Sequence, residues 1–238
     1  MRAIVFDFFG TLTDPAAEAL RGPSFGATAV ALGVPTEDFR AAMSGTFPQR
    51  IVGAFGDTRA TLRAVAASCG ASPSPGELDH AVAAHHAGAV ALRRPRPGVL
   101  AVLDRLRASG LRLGLISDCS SELVEAWPST DFAARIDAPV FSWQEGHRKP
   151  DPRLYATVGE RLDVAPADCW YVGDGGSREF QGALAAGMRP ILVTNEAYPT
   201  AAAHRADPDP VIPDLSVKDL IELPALLAIS PQIGGKHW

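Results

Sequence analysis

The chain has 238 residues, 47% hydrophobic and 21% charged, which excludes a disordered or fibrous protein and leaves room for one large core with an insertion. Lys and Arg number 22 against 27 Asp and Glu, a formal charge of −5, which argues against a protein whose main work is gripping nucleic acid or an anionic membrane. Cys69, Cys119 and Cys169 lie far apart without metal-ligand spacing, and no apolar run approaches membrane-spanning length, so reduced thiols in a cytoplasmic protein are expected.

The first element is the apolar run Ala3-Ile4-Val5-Phe6, which ends abruptly in Asp7-Phe8-Phe9-Gly10-Thr11-Leu12-Thr13-Asp14. Four apolar residues without alternation suit a strand buried on both faces of a parallel sheet, and with this strand starting at Ala3 no signal peptide is expected. Residues 15–94 are Ala-rich with helical periodicity and no convincing strand. Helices are expected at 37–43, at 58–67 behind the N-cap Asp57, and at 77–92 behind Ser74-Pro75-Gly76. The run Arg93-Arg94-Pro95-Arg96 reads as a solvated linker. A helix follows from Pro97 to Gly110, and then a buried strand, 111–116, ends in Ser117-Asp118-Cys119-Ser120.

A short strand at 139–141 precedes Glu145-Gly146-His147-Arg148-Lys149-Pro150-Asp151-Pro152. A helix over 152–162 leads to the strand 169–172, which runs into Gly173-Asp174-Gly175-Gly176-Ser177-Arg178-Glu179. A helix over 180–186 stops at Gly187, as a C-terminal glycine would make it, and 190–194 is a fifth strand. Val211-Ile212 and a helix over 219–227 are expected to finish the core. The alternation predicts an α/β fold, a doubly wound, Rossmann-like parallel sheet with helices on both faces. Residues 1–14 and 95–228 would form this core, with a helical domain at 15–94 and a tail at 229–238.

Parallel strands put their carboxyl ends on one sheet edge, so Asp7, Ser117, Lys149 and Asp174 are expected to converge there. A carboxylate nucleophile, a hydroxyl, a fixed cation and a second carboxylate form a set suited to phosphoryl transfer. Mg²⁺ takes one or two carboxylates plus waters and substrate phosphate, which matches Asp7 with Asp174. Gly173 to Gly176 is no dinucleotide fingerprint, because Arg178 stands where the last glycine belongs.

These motifs resemble those of the haloacid dehalogenase superfamily. Asp7-Phe8-Phe9-Gly10-Thr11-Leu12 is similar to its first motif, Leu115-Ile116-Ser117-Asp118 to its second, Lys149-Pro150-Asp151-Pro152 to its third, and Gly173-Asp174 with Glu179 to its fourth. The resemblance implies a hydrolase with residues 15–94 as a helical cap between the first two motifs. It implies Asp7 as nucleophile and Ser117, Asp118 and Lys149 as substrate-binding groups. Mg²⁺ would be held by Asp7, the carbonyl of Phe9, Asp174 and Glu179. A small phosphorylated metabolite is the implied substrate, in a monomer or homodimer with no nucleic-acid or membrane partner.

The chain departs from the family's phosphatases at Phe9, where they usually carry an acid/base Asp, a contribution of about 10²–10⁴-fold. His147, two residues before Lys149, is a candidate replacement, although a solvated loop histidine is the commoner case. Glu179 stands where Asp is more usual. An aromatic at residue 9 also fits carbon–halogen cleavage, in which a halide leaves without a proton, but Asp174 and Asp118 depart from that pattern. A catalytically weak binding protein is a third reading, opposed by the joint presence of Asp7, Ser117, Lys149, Asp174 and Glu179. The absence of lysine from 15–94 excludes the Schiff-base route of the phosphonate-cleaving relatives. Arg50, Arg59 and Arg63 are candidates for reaching the cleft, and His85 and His86 are expected at the surface.

Overall fold

The computed structural model describes residues 1–198, 205 and 207–229. The expected tail lies, beyond Ile229, outside them. Among the described residues six strands form one parallel sheet: β1 (Ala3–Phe6), β2 (Arg112–Ser117), β3 (Ala138–Phe141), β4 (Cys169–Gly173), β5 (Arg189–Val193) and β6 (Leu215–Val217), in the order β3-β2-β1-β4-β5-β6. Strand β1 is central, with Ile4 opposite Leu113 on one side and Trp170 on the other. The switch in strand order between β1 and β4 opens a crevice at the carboxyl edge, where ligands of such sheets bind.

Between β1 and β2 the chain makes α1 (Arg21–Ala31), α2 (Thr36–Gly45), α3 (Phe47–Arg50), α4 (Thr58–Ser68) and α5 (Pro75–Ala89), then α6 (Val99–Ala108). Strands are absent from 15–93. Local chemistry sets the helix starts: Asp57 accepts from Ala60 N at 2.7 Å to cap α4, and Ser74 and Glu77 cap each other's backbone N–H at the start of α5. Ala29, Phe39, Met43, Leu62 and Leu78 give α1, α2, α4 and α5 an apolar centre of their own.

The remaining helices are α7 (Ser121–Ala126), α8 (Ser142–Glu145), α9 (Pro152–Leu162), α10 (Glu179–Ala185) and α11 (Leu223–Leu226). Because side chains alternate along a strand, Ile4 and Phe6 pack with Val99, Leu103 and Leu106 of α6, while Ala3 and Val5 pack with Leu154, Val158 and Leu162 of α9. The last strand is Leu215–Val217 rather than Val211-Ile212, where Asp209 instead accepts from Val211 N in a local turn. The helix expected over 219–227 is a 3-10 turn, Leu220–Glu222, followed by the four residues of α11.

The two crossings between sheet and helical segment lie side by side. Thr13 bridges Pro95 in antiparallel fashion, Asp14 N donates to Arg94 O at 2.9 Å, and Arg96 N donates to Leu12 O at 3.1 Å. Arg96 is therefore no solvated linker residue. Its side chain is 1% exposed and donates to Asn195 Oδ1 at 2.5 Å, while Asn195 Nδ2 donates to Gly10 O at 2.9 Å.

Candidate active site

Asp7 follows β1 directly and Asp174 follows β4, so the parallel pairing of these strands sets the two carboxylates side by side. One oxygen from each of Asp7, Asp174 and Glu179 lies within 4.8 Å of the others, and all three residues are buried. Gly10, at φ +76°, turns the chain back beneath them, and a Cβ there would sit 3.0 Å from Asp174 Oδ2. The Phe8 carbonyl accepts from Thr11, Leu12 and Thr13 N, and the Gly10 carbonyl accepts from Asn195. Among the described residues the carbonyl of Phe9, between them, accepts no hydrogen bond.

Lys149 Nζ donates to Asp7 Oδ1 at 2.6 Å and to Glu179 Oε2 at 2.8 Å, with the lysine side chain only 3% exposed. Burial alone would push this ammonium down, but Asp7, Glu179 and Asp118 together hold its pKa well above the ordinary lysine value. Asp118 Oδ1 accepts from Lys149 N at 3.0 Å, anchoring the lysine's backbone as well. Burial pushes the Asp118 carboxyl up. Burial, and then the neighbouring Asp7, push the Asp174 carboxyl up to about 6, while Arg205 Nε donates to Asp174 Oδ2 at 3.2 Å.

Glu179 sits beneath this layer, fully buried at the start of α10. Its Oε1 accepts from Gly175 N at 2.8 Å, and its Oε2 accepts from Tyr171 OH at 2.9 Å as well as from Lys149. A Cβ on Gly173 would come 2.1 Å from Glu179 Oε1, so this fourth-motif glycine makes room for the carboxylate. Both oxygens of Glu179 are thus engaged, one of them by Lys149.

A cavity of about 340 Å³ opens over this floor, between the sheet edge and the helical segment. Asp7, Phe9, Asp118, Lys149 and Asp174 line it. The Phe9 ring packs edge-on against Phe8 with centroids 5.0 Å apart, and the Arg21 guanidinium stands 4.9 Å above it. Ser117 is the last residue of β2 and is wholly buried, and it does not line the cavity; Cys119 and Ser120 do. Among the described residues the Ser117 hydroxyl makes no hydrogen bond.

Of the three arginines singled out from the sequence, Arg50 reaches the cavity. Arg59 instead pairs with Asp79 on the next helix, and Arg63 is exposed. His147 is outside the cavity lining. His85, expected at the surface, is 6% exposed, lines the cavity and stacks on Phe25, while His86 Nε2 pairs with Glu125 Oε2 at 2.9 Å. The signal was present: Leu78, Ala81, His85 and Ala89 fall on one helical stripe, the buried face of α5.

Burial pushes the Glu179 carboxyl up to about 8, which leaves Asp7, Asp118 and Asp174 against the cations Lys149 and Arg205, a net negative charge where an anionic substrate would have to sit. The donor set is entirely oxygen, with the Phe9 carbonyl beside it, and this hard, acidic site fits a divalent cation such as Mg²⁺. Such a cation would reverse the sign of the floor. The three unpaired cysteines, two of them buried, contribute no metal ligand to this site, and no helix among the described residues is long and apolar enough to cross a membrane.

The model of the haloacid dehalogenase-like hydrolases matches residues 1–187. A glyceraldehyde 3-phosphate phosphatase of Methanopyrus kandleri is 30% identical over 151 residues, which cover 62% of this chain and 63% of the relative, less than two thirds of its length. A phosphoglycolate phosphatase of Xylella fastidiosa is 29% identical over 209 residues, covering 83% of this chain and 81% of the relative. In fold, the chain matches a 2-haloacid dehalogenase of Pseudomonas syringae with a TM-score of 0.69 at 24% identity, over 96% of this chain and 98% of that one. It matches a HAD phosphatase of Thermococcus onnurineus with a TM-score of 0.68 at 18% identity, over 97% of this chain and 99% of that one. With a family match over residues 1–187, and with its motif residues gathered at one sheet edge, the chain belongs to the haloacid dehalogenase-like hydrolases.

Proposed function

We propose that the protein is a Mg²⁺-dependent phosphatase acting on a small phosphorylated metabolite through an aspartyl-phosphate on Asp7. The observation that carries this reading is the cluster of Asp7, Asp174 and Lys149 at the cavity floor, with carboxylate oxygens within 4.8 Å of one another. A haloacid and a phosphate ester are both anions, and a floor with net negative charge repels either unless a cation is bound. Relatives named as phosphatases support the same choice. Mg²⁺, held by Asp7, Asp174 and the Phe9 carbonyl, would supply charge to the phosphoryl oxygens when bound. The three unpaired cysteines support a cytoplasmic setting.

In the first step a carboxylate oxygen of Asp7 attacks phosphorus, and the bond from phosphorus to the ester oxygen breaks, releasing the alcohol portion as its anion, which takes up a proton from water. Lys149, already 2.6 Å from Asp7 Oδ1, fixes the nucleophile's orientation and offsets charge gathering on the phosphoryl group. Water then cleaves the acyl-phosphate, restoring the carboxylate and releasing inorganic phosphate. Residues 15–94 act in this reading as a cap over the floor, keeping bulk water from the acyl-phosphate. Phe9 has no proton to give the leaving oxygen, so good leaving groups are favoured.

One observation favours a second reading, dehalogenation through an ester on Asp7. The Phe9 ring occupies the place of an acid, and halide departs without a proton. Release of phosphate from p-nitrophenyl phosphate, with and without Mg²⁺, tests the first reading, and chloride release from 2-chloropropionate tests the second. Mg²⁺-stimulated phosphate release that Asp7→Asn abolishes is the expected result. Chloride release without Mg²⁺, with no phosphatase activity, would replace the first reading by the second.

A further inference from the structure

Opposite the carboxylate floor, the cavity has a second polar face built by the helical segment and α7. Arg50 is 6% exposed; its Nη1 donates to Ser120 Oγ at 2.5 Å and its Nη2 to Met43 O at 3.0 Å. Among the described residues its Nε is buried without a partner. Glu122, half-buried, lines the same face, and among the described residues its side chain makes no hydrogen bond or ion pair. His85 stacks on Phe25 with centroids 6.1 Å apart, and its ring nitrogens make no hydrogen bond among the described residues. Burial pushes its pKa down, so at neutral pH the imidazole carries one donor and one acceptor.

The charges of this face cancel. Glu18 is taken up by Arg21, which donates to both of its oxygens, at 3.1 and 2.8 Å, and the formal charges of Arg50 and Glu122, both in the lining, sum to zero without an ion pair between them. A second anion on the substrate would meet Glu122 as well as Arg50, and a second cation would meet Arg50 as well as Glu122. A hydroxyl both donates and accepts, and so matches the free carboxylate and the neutral imidazole together. The cavity of about 340 Å³ stands at the small end of ligand pockets, which suits a molecule of a few carbons.

Given the phosphatase reading, we infer that Arg50, His85 and Glu122 select a phosphate ester whose distal part is uncharged and hydroxylated, a small polyol or sugar phosphate, over one that ends in a carboxylate. Discrimination comes from the unpaired buried groups a mismatched substrate leaves behind.

The test compares kcat/KM of the full chain with Mg²⁺ for glycerol 3-phosphate, erythrose 4-phosphate, 2-phosphoglycolate and p-nitrophenyl phosphate. The polyol and sugar esters should exceed 2-phosphoglycolate by at least about tenfold. Glu122→Gln leaves Arg50 unbalanced and should move that ratio toward 2-phosphoglycolate by about tenfold or more; Arg50→Gln should move it the other way. A fold defect lowers all four substrates together and leaves the ratio still, so the ratio reads recognition alone. A wild-type preference for 2-phosphoglycolate, or a Glu122→Gln ratio unchanged while p-nitrophenyl phosphate is still turned over, overturns the inference. Wild-type protein that leaves p-nitrophenyl phosphate intact refutes the phosphatase reading itself, and the inference falls with it.

Discussion

Glu179→Gln keeps the side chain's shape and tests whether this residue holds Lys149. The carboxylate accepts from Gly175 N at 2.8 Å, from Lys149 Nζ at 2.8 Å and from Tyr171 OH at 2.9 Å. Glutamine has one acceptor oxygen. With that oxygen toward Gly175, the amide nitrogen confronts the Lys149 ammonium; turned the other way, it confronts the Gly175 N–H. Either rotamer leaves one buried donor facing another, at about 1–3 kcal/mol, and also removes the countercharge of a buried lysine. Breaking a buried ion pair commonly costs about 3–5 kcal/mol, and the surviving contact of Lys149 with Asp7 places this case near the lower end, about 3 kcal/mol. Urea unfolding at unchanged m-value measures the loss. In the double variant Glu179→Gln/Lys149→Met, the losses should fall short of additivity by about 1 kcal/mol or more. A loss below about 1 kcal/mol in the single variant, or full additivity in the double, would refute the tether.

Asp7→Asn should abolish phosphate release while leaving the fold intact, and native mass spectrometry with beryllofluoride should show an adduct on the wild type alone. Gly10→Ala places a Cβ at φ +76°, 3.0 Å from Asp174 Oδ2, and should cost about 1–2 kcal/mol in urea unfolding together with reduced turnover. Burial depresses the His85 pKa, so as pH falls through about 6.5 the unfolded chain takes up a proton before the folded one does, and stability is lost on acidification by at most about 1.4 kcal/mol per pH unit. His85→Gln should flatten that acid limb in thermal melts. Phe9→Asp should speed alkyl phosphates relative to p-nitrophenyl phosphate, but by less than the upper limit of about 10⁴-fold, because Arg21, now 4.9 Å above the ring, would hold the new carboxylate ionised; equal gains on both esters would show that the carboxylate supplies no proton.

The floor of the site was legible because parallel strand ends converge whatever else the chain does. Asp7 and Asp174 follow paired strands, and Lys149 follows the short β3 and α8 to the same edge. The strand β6 was missed because three residues, Leu215 half-buried, Ser216 exposed and Val217 buried, are too few to show a periodicity, whereas Val211-Ile212 carry apolarity without pairing. The work of Glu179 was hidden as well, since its partners Tyr171 and Lys149 reach it only through the packing of α10 under the sheet edge. Arg96 in a Pro-flanked basic run gave no hint of burial. Its environment is made by Asn195, which no local pattern links to it.

The paired crossings at Thr13 and Pro95 restrict how the helical segment swings. Two strands pinned to each other behave as one strap, so opening tilts the segment about a single line and twisting is resisted. At the opposite rim the two parts meet through Thr58 with Ser121 and Glu125, His86 with Glu125, Arg50 with Ser120, and Trp143 Nε1 with Gly56 O. Polar links of this kind exchange with water at about 0.5–1.5 kcal/mol each, far less than parting an apolar seam of equal extent would demand. An opening of the helical segment would therefore pivot on the side of Arg96 and part the hydroxyl and carboxylate contacts on the side of α7.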